Sequence, residues 1–223
     1  KRNQLQGLYG NVALGYTQCR YSRSNNSLNL NYNRKKVAMY SNVNFGIQNS
    51  FQDLNINRYY RTPDGAPLSA FNQNSYIEKK GGSASVKLGL DYFATARTTV
   101  GLSVKGLTNP NSSDTDNTAL VRDANQELLN TVIADNVDES GFQNGTFSAN
   151  LRHEIDSSGG LLTLDADYVR YHSSSDQVFK NYIYRPDASL DYADQLDGAL
   201  PSNIHIYAAK TDLSKQLPRG FKL

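Results

Sequence analysis

The stretch GSASVKLGLDYF, residues Gly82–Phe93, alternates between apolar and polar side chains along its length. The apolar positions are Ala84, Val86, Leu88, Leu90 and Tyr92, and the positions between them are Ser83, Ser85, Lys87, Gly89 and Asp91. Successive side chains of a β-strand point to opposite faces of its sheet. The stretch therefore predicts a strand with one apolar and one polar face.

The same alternation recurs through the rest of the chain. It is present in Thr99–Lys105, Leu28–Asn33, Val37–Gln48, Phe147–Ile155 and Leu162–Tyr168, and more loosely in Val12–Tyr16 and Tyr207–Leu213. Roughly eight strands fit this template. Because no proline-rich linker, low-complexity tail or charge block interrupts the pattern, we expect residues 1–223 to form a single segment of one β-domain.

The composition is that of a polar chain rich in tyrosine. Hydrophobic residues make up 38% of the 223 positions, whereas soluble domains average roughly 45–50%. There are 15 Tyr, 8 Phe and no Trp. Tyrosine is suited both to membrane–water interfaces and to sheets that expose one face to water. A net charge of +2 without any long basic run predicts no nucleic-acid partner.

Short and long connections alternate along the chain. The predicted short turns are Arg34–Lys36, Ala94–Thr98, Asp156–Gly160 and Ser214–Gly220, and the long stretches between them are Asn49–Gly81, Gly106–Gln143 and Ser173–Asn203. Up-and-down barrels of the outer membrane have short periplasmic turns and long extracellular loops, whereas a Greek-key sandwich has no reason to keep this order. We therefore predict an all-β, antiparallel up-and-down transmembrane β-barrel, of which this chain supplies part of the wall.

The long stretches carry strand character beyond the length that a bilayer requires, which is about 9–11 residues. Thr62-Pro63-Asp64-Gly65 is a strong turn signal. We predict long hairpins with tips near Pro63–Pro67, Asp123–Gln126 and Pro186–Ala188. A helix over Leu120–Val132 is the alternative for the second of these, because Leu120, Ala124, Leu128 and Val132 repeat every fourth position.

Several of these segments resemble a known family. They are Ser27–Lys36 with its continuations Val37–Phe45 and Ser50–Tyr60, then Gly145–His153, and the alternating set Leu162, Leu164, Ala166 and Tyr168. These segments resemble the barrel region of the outer-membrane β-barrel family related to TonB-dependent transporters. The resemblance implies part of the barrel of a TonB-dependent-receptor-like transporter for solute uptake, located in the cell outer membrane.

The resemblance also implies partners. These are the lipid bilayer, the remaining strands and plug domain of a longer chain, and an energy-coupling protein or a surface lipoprotein. Gly220–Leu223 looks like the start of a further strand. Since strands this long belong to wide barrels, we expect the first and last strands of this chain not to pair with each other.

No residue pattern points to catalysis, and we expect no enzyme activity, cofactor or metal site. His153, His172 and His205 are scattered without metal-ligand spacing. The single cysteine, Cys19, excludes an internal disulfide. The acidic clusters Asp114–Asp116 and Asp135–Glu139 predict solvated loops, with calcium binding as the alternative.

Five tyrosines and one arginine of the hairpins are the candidates for solute contact. They are Tyr59, Tyr60, Arg61, Tyr76, Tyr182 and Tyr184, with cross-strand pairing as the alternative role for each. Two other functions fit the sequence: a non-transporting barrel that anchors or presents a partner protein, and a soluble β-sandwich binding module.

Overall fold

A computed structural model describes residues 6–156 and 160–215, and these residues form one antiparallel sheet without any helix. The strands are β1 (Gly7–Gln18), β2 (Ser22–Arg34), β3 (Val37–Gln48), β4 (Ser50–Arg61), β5 (Pro67–Phe93), β6 (Thr98–Asp123), β7 (Leu128–Glu154), β8 (Leu161–Tyr184), β9 (Leu190–Ala199) and β10 (Ser202–Ser214). No helix able to cross a membrane is found among the described residues.

The sheet is an up-and-down meander. Its order is β1-β2-β3-β5-β6-β7-β8-β10, with β4 also pairing β5 and β9 also pairing β8. The chain thus makes eight passes, two of which are interrupted, one at Asn49 and the other at Leu200–Pro201. The prediction of an all-β antiparallel sheet is confirmed. The roughly eight predicted strands correspond to the eight passes, whereas the structure has ten strands because two passes are each divided into two strands.

The predicted long hairpins are confirmed, with tips at residues 62–66, 124–127 and 185–189. The helix alternative for Leu120–Val132 is wrong, because Leu120 lies in β6 and Val132 lies in β7. The Asp123 carboxylate accepts hydrogen bonds of 2.9 Å from the backbone N–H groups of Asn125 and Glu127. These bonds stabilise a tight turn and reverse the chain where a helix would continue.

Two of the predicted short turns are also present, at residues 35–36 and 94–97. The predicted turns Asp156–Gly160 and Ser214–Gly220 each include residues outside those described, namely 157–159 and 216–220. The strand start expected at Gly220–Leu223 also lies outside the described residues.

The sheet is a single layer without a core. In the described part, strands contact only their hydrogen-bonded neighbours, and the buried side chains are limited to Ala70, Ser75 and Ala119. The chain exposes 15302 Å² of surface, whereas a compact monomer of this mass would expose about 10,000 Å². Within the described residues there is therefore no second sheet, so they do not form a β-sandwich.

The two sheet edges remain open in the described structure. β1 and β10 lie at opposite ends of the strand order and do not pair with each other, as expected. Each edge therefore presents backbone N–H and C=O groups without a ladder partner.

Candidate membrane interface

The strand register collects the apolar positions of all eight passes on one face. One row across the sheet contains Leu8, Tyr32, Met39, Leu90, Leu102, Ala149, Ala166 and Ala209. The next row contains Gly10, Leu30, Ser41, Leu88, Val104, Phe147, Tyr168 and Tyr207. We call this apolar band the belt, its face the belt face, and the other side of the sheet the opposite face.

Nothing in the described structure covers the belt. The side chains of Leu88, Val104 and Phe147, near its centre, are 52%, 51% and 45% exposed. A soluble domain must pack the apolar face of a sheet against another layer, and monomers rarely expose so large an apolar patch. The belt therefore requires a covering that the described residues do not supply.

The opposite face is polar at the level of the belt. It carries Lys87, Asp91, Arg152, Glu154, Asp165 and Asp167, together with Asn29, Asn31, Asn42 and Asn44. Lys87 Nζ lies 5.5 Å from the centroid of the Tyr40 ring on this face. A sheet that is apolar on one side and polar on the other separates a nonpolar from an aqueous environment.

Tyrosines lie at both limits of the belt. Tyr16 on β1 and Tyr168 and Tyr207 on β8 and β10 lie at its upper edge, which is the edge nearer the long hairpin tips. Tyr32 and Tyr92 lie toward the short turns. Amphipathic rings at both limits of an apolar band are typical of the two membrane–water interfaces.

The belt slants across the sheet. On β1 its upper edge is at Tyr16, whereas the row of Tyr168 and Tyr207 meets β1 at Gly10, six residues lower. With about 3.4 Å per residue and about 4.8 Å per strand, this is a drop of about 20 Å over about 34 Å, an inclination of roughly 30°. Strands of transmembrane barrels are tilted by about 35–45°, so the slant agrees with a tilted barrel wall.

A row of glycines and prolines crosses the sheet above the belt, meeting its upper edge at Tyr16 on β1 and lying six residues above Tyr168 on β8. Its members are Gly81 and Gly82 and the pair Pro110–Gly141, and it also includes the strand breaks at Asn49 and at Pro201. Backbone pairing between β5 and β6 is missing between the pairs Gly81–Asn111 and Ala84–Thr108. Pro110 lies in this gap and has no N–H to donate. We call this line the Gly/Pro row, and the hairpins beyond it the extension.

In the extension, acidic side chains concentrate on the belt face. They are Asp53, Glu78, Asp114, Asp116, Asp135, Glu139, Asp176 and Asp197. The pairs Asp116–Asp135 and Glu139–Asp176 stand directly opposite each other on neighbouring strands. Like charges so placed repel each other, and water screens this repulsion far better than lipid does.

The opposite face of the extension is more apolar. One row contains Ile56, Gln73, Ala119, Val132, Ile183 and Tyr192. Two rows further along this face, Asn136 lies between Thr115 and Phe179, and the buried Asn136 Oδ1 has no hydrogen-bond partner. The two faces thus exchange much of their polarity at the Gly/Pro row.

We predict that Asn136→Leu raises the free energy of unfolding by about 1 kcal/mol, because it removes a buried amide oxygen without a partner. Denaturant unfolding followed by tyrosine fluorescence measures the change. Asn117→Leu is the matched control, because Asn117 accepts from Gln73 Nε2 at 3.2 Å and donates to the Ala134 carbonyl at 3.3 Å. The control should lower stability, and equal effects of the two substitutions would contradict the interpretation.

The β1–β2 turn contributes an aromatic cluster at the upper edge of the belt. The hydroxyls of Tyr21 and Tyr76 are 2.9 Å apart, and Phe51 lies 5.8 Å from the Tyr21 ring and 6.0 Å from the Tyr76 ring. The Arg20 guanidinium sits 4.5 Å from the Phe51 ring centroid. The hydrogen bond to Tyr76, with partial desolvation and the nearby Glu78 carboxylate, raises the pKa of Tyr21 to about 12.

We predict that one tyrosine of the folded chain ionises near pH 12 in an ultraviolet titration. Tyr76→Phe should return that pKa toward 10, whereas Tyr59→Phe, near a hairpin tip, should not. Since the folded state holds this proton more tightly than the unfolded state, its contribution to stability is complete below pH 10 and declines from pH 10 to 12. An unchanged titration in Tyr76→Phe would show that the hydrogen bond is not the cause.

The six residues predicted to contact a solute lie in three places. Tyr59, Tyr60 and Arg61 lie at the tip of the β4–β5 hairpin, where Arg61 Nη1 donates to the Gly65 carbonyl at 3.0 Å. Tyr182 and Tyr184 lie on β8 near the β8–β9 tip. Tyr76 belongs to the aromatic cluster with Tyr21. The structure therefore does not bring the six into one site.

The acidic clusters differ from the prediction of solvated loops. Asp114–Asp116 lies within β6 and Asp135–Glu139 lies within β7, because the hairpins continue as regular strands well beyond the belt. Among the described residues, no group of three or more His, Cys, Asp or Glu could hold a metal ion.

The sequence did not predict that two of the histidines lie close together. His172 and His205 lie on β8 and β10, on either side of Arg170, which pairs directly with His205. His153 lies elsewhere, 3.0 Å from the Thr98 hydroxyl. His172 and His205 lie close together only because β8 pairs with β10. Their spacing along the sequence could not have predicted this proximity.

Comparison of the chain with protein-family models, with curated proteins and with solved structures finds no match. The functional interpretation therefore depends on the sheet itself.

Proposed function

We propose that this chain is part of the wall of an outer-membrane β-barrel, and that the barrel is a TonB-dependent-receptor-like transporter for solute uptake. The observation that carries the proposal is the exposed, slanted belt on one face of a single-layer sheet whose opposite face is polar. Lipid would cover the belt, and a water-filled lumen would hydrate the opposite face.

The open edges support a role as part of a larger barrel. Backbone N–H and C=O groups without partners cost several kcal/mol each in hydrocarbon, so a β-sheet remains stable there only as a closed barrel. Further strands would complete the ladder on the outer sides of β1 and β10, and a plug domain would fill the wide lumen. An energy-coupling protein would then approach from the side of the short turns, and a surface lipoprotein from the hairpin tips.

Membrane topology can be tested with single cysteines in a Cys19→Ser background. Ala124→Cys lies at a hairpin tip and Ala96→Cys lies in a short turn. In intact cells, a membrane-impermeant maleimide should label the tip cysteine, and should label the turn cysteine only after the outer membrane is permeabilised. Equal labelling of both sites in intact cells would contradict the proposed topology.

Transport is tested separately. Cells that lack the protein should lose uptake of a solute too large for general porins, and the wild-type gene should restore it. Unchanged uptake, together with loss of another protein from the cell surface, would instead identify a barrel that anchors or presents a partner.

A further inference from the structure

A groove interrupts the belt at its upper edge. Gly106 on β6 and Gly145 on β7 pair directly with each other on the belt face and leave its floor without side chains. A Cβ added at Gly145 would meet no atom within 4 Å. The resulting groove has a volume of about 670 Å³.

The two ends of the groove differ in chemistry. Its apolar end is formed by Val43, Phe45, Ala84 and Val86, and its polar end by Gln143, Arg170, His172 and Asn203. The apolar end continues directly into the belt through Leu88 and Val104, which lie in the next row. An alkyl chain in the groove would thus remain on apolar surface as it runs down the belt.

The polar end is a group of nitrogen donors held in place by neighbouring strands. His172 Nδ1 donates to Asn203 Oδ1 at 2.7 Å, and a 3.0 Å hydrogen bond joins the Tyr168 hydroxyl to His205 Nδ1. The Tyr168 ring also packs 5.0 Å from the Tyr207 ring. These contacts orient both imidazoles beside Arg170 on the belt face.

The positive charge of Arg170 has no counter-ion among the described residues. Arg170 is exposed and forms no salt bridge with any described residue. The nearest carboxylates on its face, Glu139 and Asp176, lie about 20 Å further along the strands at about 3.4 Å per residue. A guanidinium matches the geometry of a phosphate and binds it through two parallel hydrogen bonds.

We propose that this groove binds a phosphate-bearing lipid of the outer leaflet. The lipid phosphate would contact Arg170, His172 and His205, and one acyl chain would lie over Gly106 and Gly145. Charge complementarity and the continuity of the groove with the belt identify the occupant. This inference rests on the proposed membrane location, because it requires the upper edge of the belt to lie at the level of the headgroups.

The test is reconstitution of the complete barrel that contains this chain into phosphatidylcholine vesicles with and without a minor fraction of diphosphorylated lipid A. Native mass spectrometry of the extracted protein measures the lipid that stays bound. The wild-type barrel should retain lipid A in preference to phosphatidylcholine, and Arg170→Gln should weaken this retention about tenfold. Arg152→Gln removes the same charge from the opposite face and should leave retention unchanged.

Gly145→Leu is a second variant, which fills the groove and leaves the donors in place. It should reduce lipid A retention, whereas binding of inorganic phosphate should not change. Equal loss in Arg170→Gln and Arg152→Gln, or full competition by inorganic phosphate in the wild type, would overturn the lipid site.

The test separates this inference from the proposed function. Insertion into both kinds of vesicle, shown by protection from protease, with no preference for lipid A would overturn the lipid site alone. Failure to insert into either would overturn the proposed membrane location and this site with it.

Discussion

Leu102→Arg should strongly impair stable insertion of the complete barrel that contains this chain into lipid vesicles. Leu102 lies near the middle of the belt on the central strand β6, with its side chain 43% exposed. An arginine on the lipid face of a barrel near the bilayer midplane costs about 2–4 kcal/mol. Denaturant unfolding in vesicles measures this loss. In a water-soluble protein, the same substitution at an exposed position would change stability by less than about 0.5 kcal/mol.

Ser103→Arg is the matched control. Ser103 is the next residue of the same strand, and its side chain points to the opposite face, where it pairs with Gly89 and Ser148. An arginine there would face the proposed lumen and should leave insertion unchanged. Equal tolerance of both substitutions would show that lipid does not cover the belt.

Gly89→Ala should lower the free energy of unfolding by about 1–3 kcal/mol, because overpacking displaces neighbouring groups. Gly89 pairs with Tyr40 on the opposite face, and a Cβ there would overlap the Tyr40 ring. Moving the ring would also disrupt the placement of Lys87 Nζ 5.5 Å from its centroid. The measurement is denaturant unfolding, with the midpoint and slope compared between the variant and the wild type.

Gly145→Ala provides the comparison for Gly89→Ala. It is the same substitution within a strand, but nothing lies within 4 Å of the added Cβ. Replacing a strand glycine restricts the unfolded chain and should stabilise the fold by about 0.5–1 kcal/mol. A similar loss in both variants would mean that the backbone, rather than the Tyr40 ring, requires glycine at position 89.

The strands and hairpin tips could be predicted because their signals are local. Alternation in segments such as Gly82–Phe93 determines which residues share a face, and Thr62-Pro63-Asp64-Gly65 determines where one hairpin turns. The interruption at Asn49 was not predicted, since its neighbours keep the alternating pattern. There, Asn49 accepts hydrogen bonds from Arg23 Nε at 2.9 Å and from the Gly81 N–H at 3.3 Å.

Features that depend on register between distant strands could not be predicted. The slant of the belt appears only when Tyr16 and Tyr207 are compared across the whole sheet. The grouping of Arg170 with His205 likewise requires the β8–β10 pairing, and the groove requires Gly106 to face Gly145. Alternation assigns each of these residues to a face of its own strand and carries no information about its neighbours on the next.

The change from apolar to charged side chains at the upper edge of the belt gives the sheet a fixed depth in a bilayer. If the wall sank by one pair of residues, the Arg170 guanidinium, which lies one pair above Tyr168 and Tyr207, would move toward hydrocarbon. If it rose, Leu8 and Leu213, near the lower limit of the belt, would move toward the periplasm. Both displacements are unfavourable. The residue pattern of the sheet would therefore determine how deeply it lies in the bilayer, and with that the height of the hairpin tips above the cell surface.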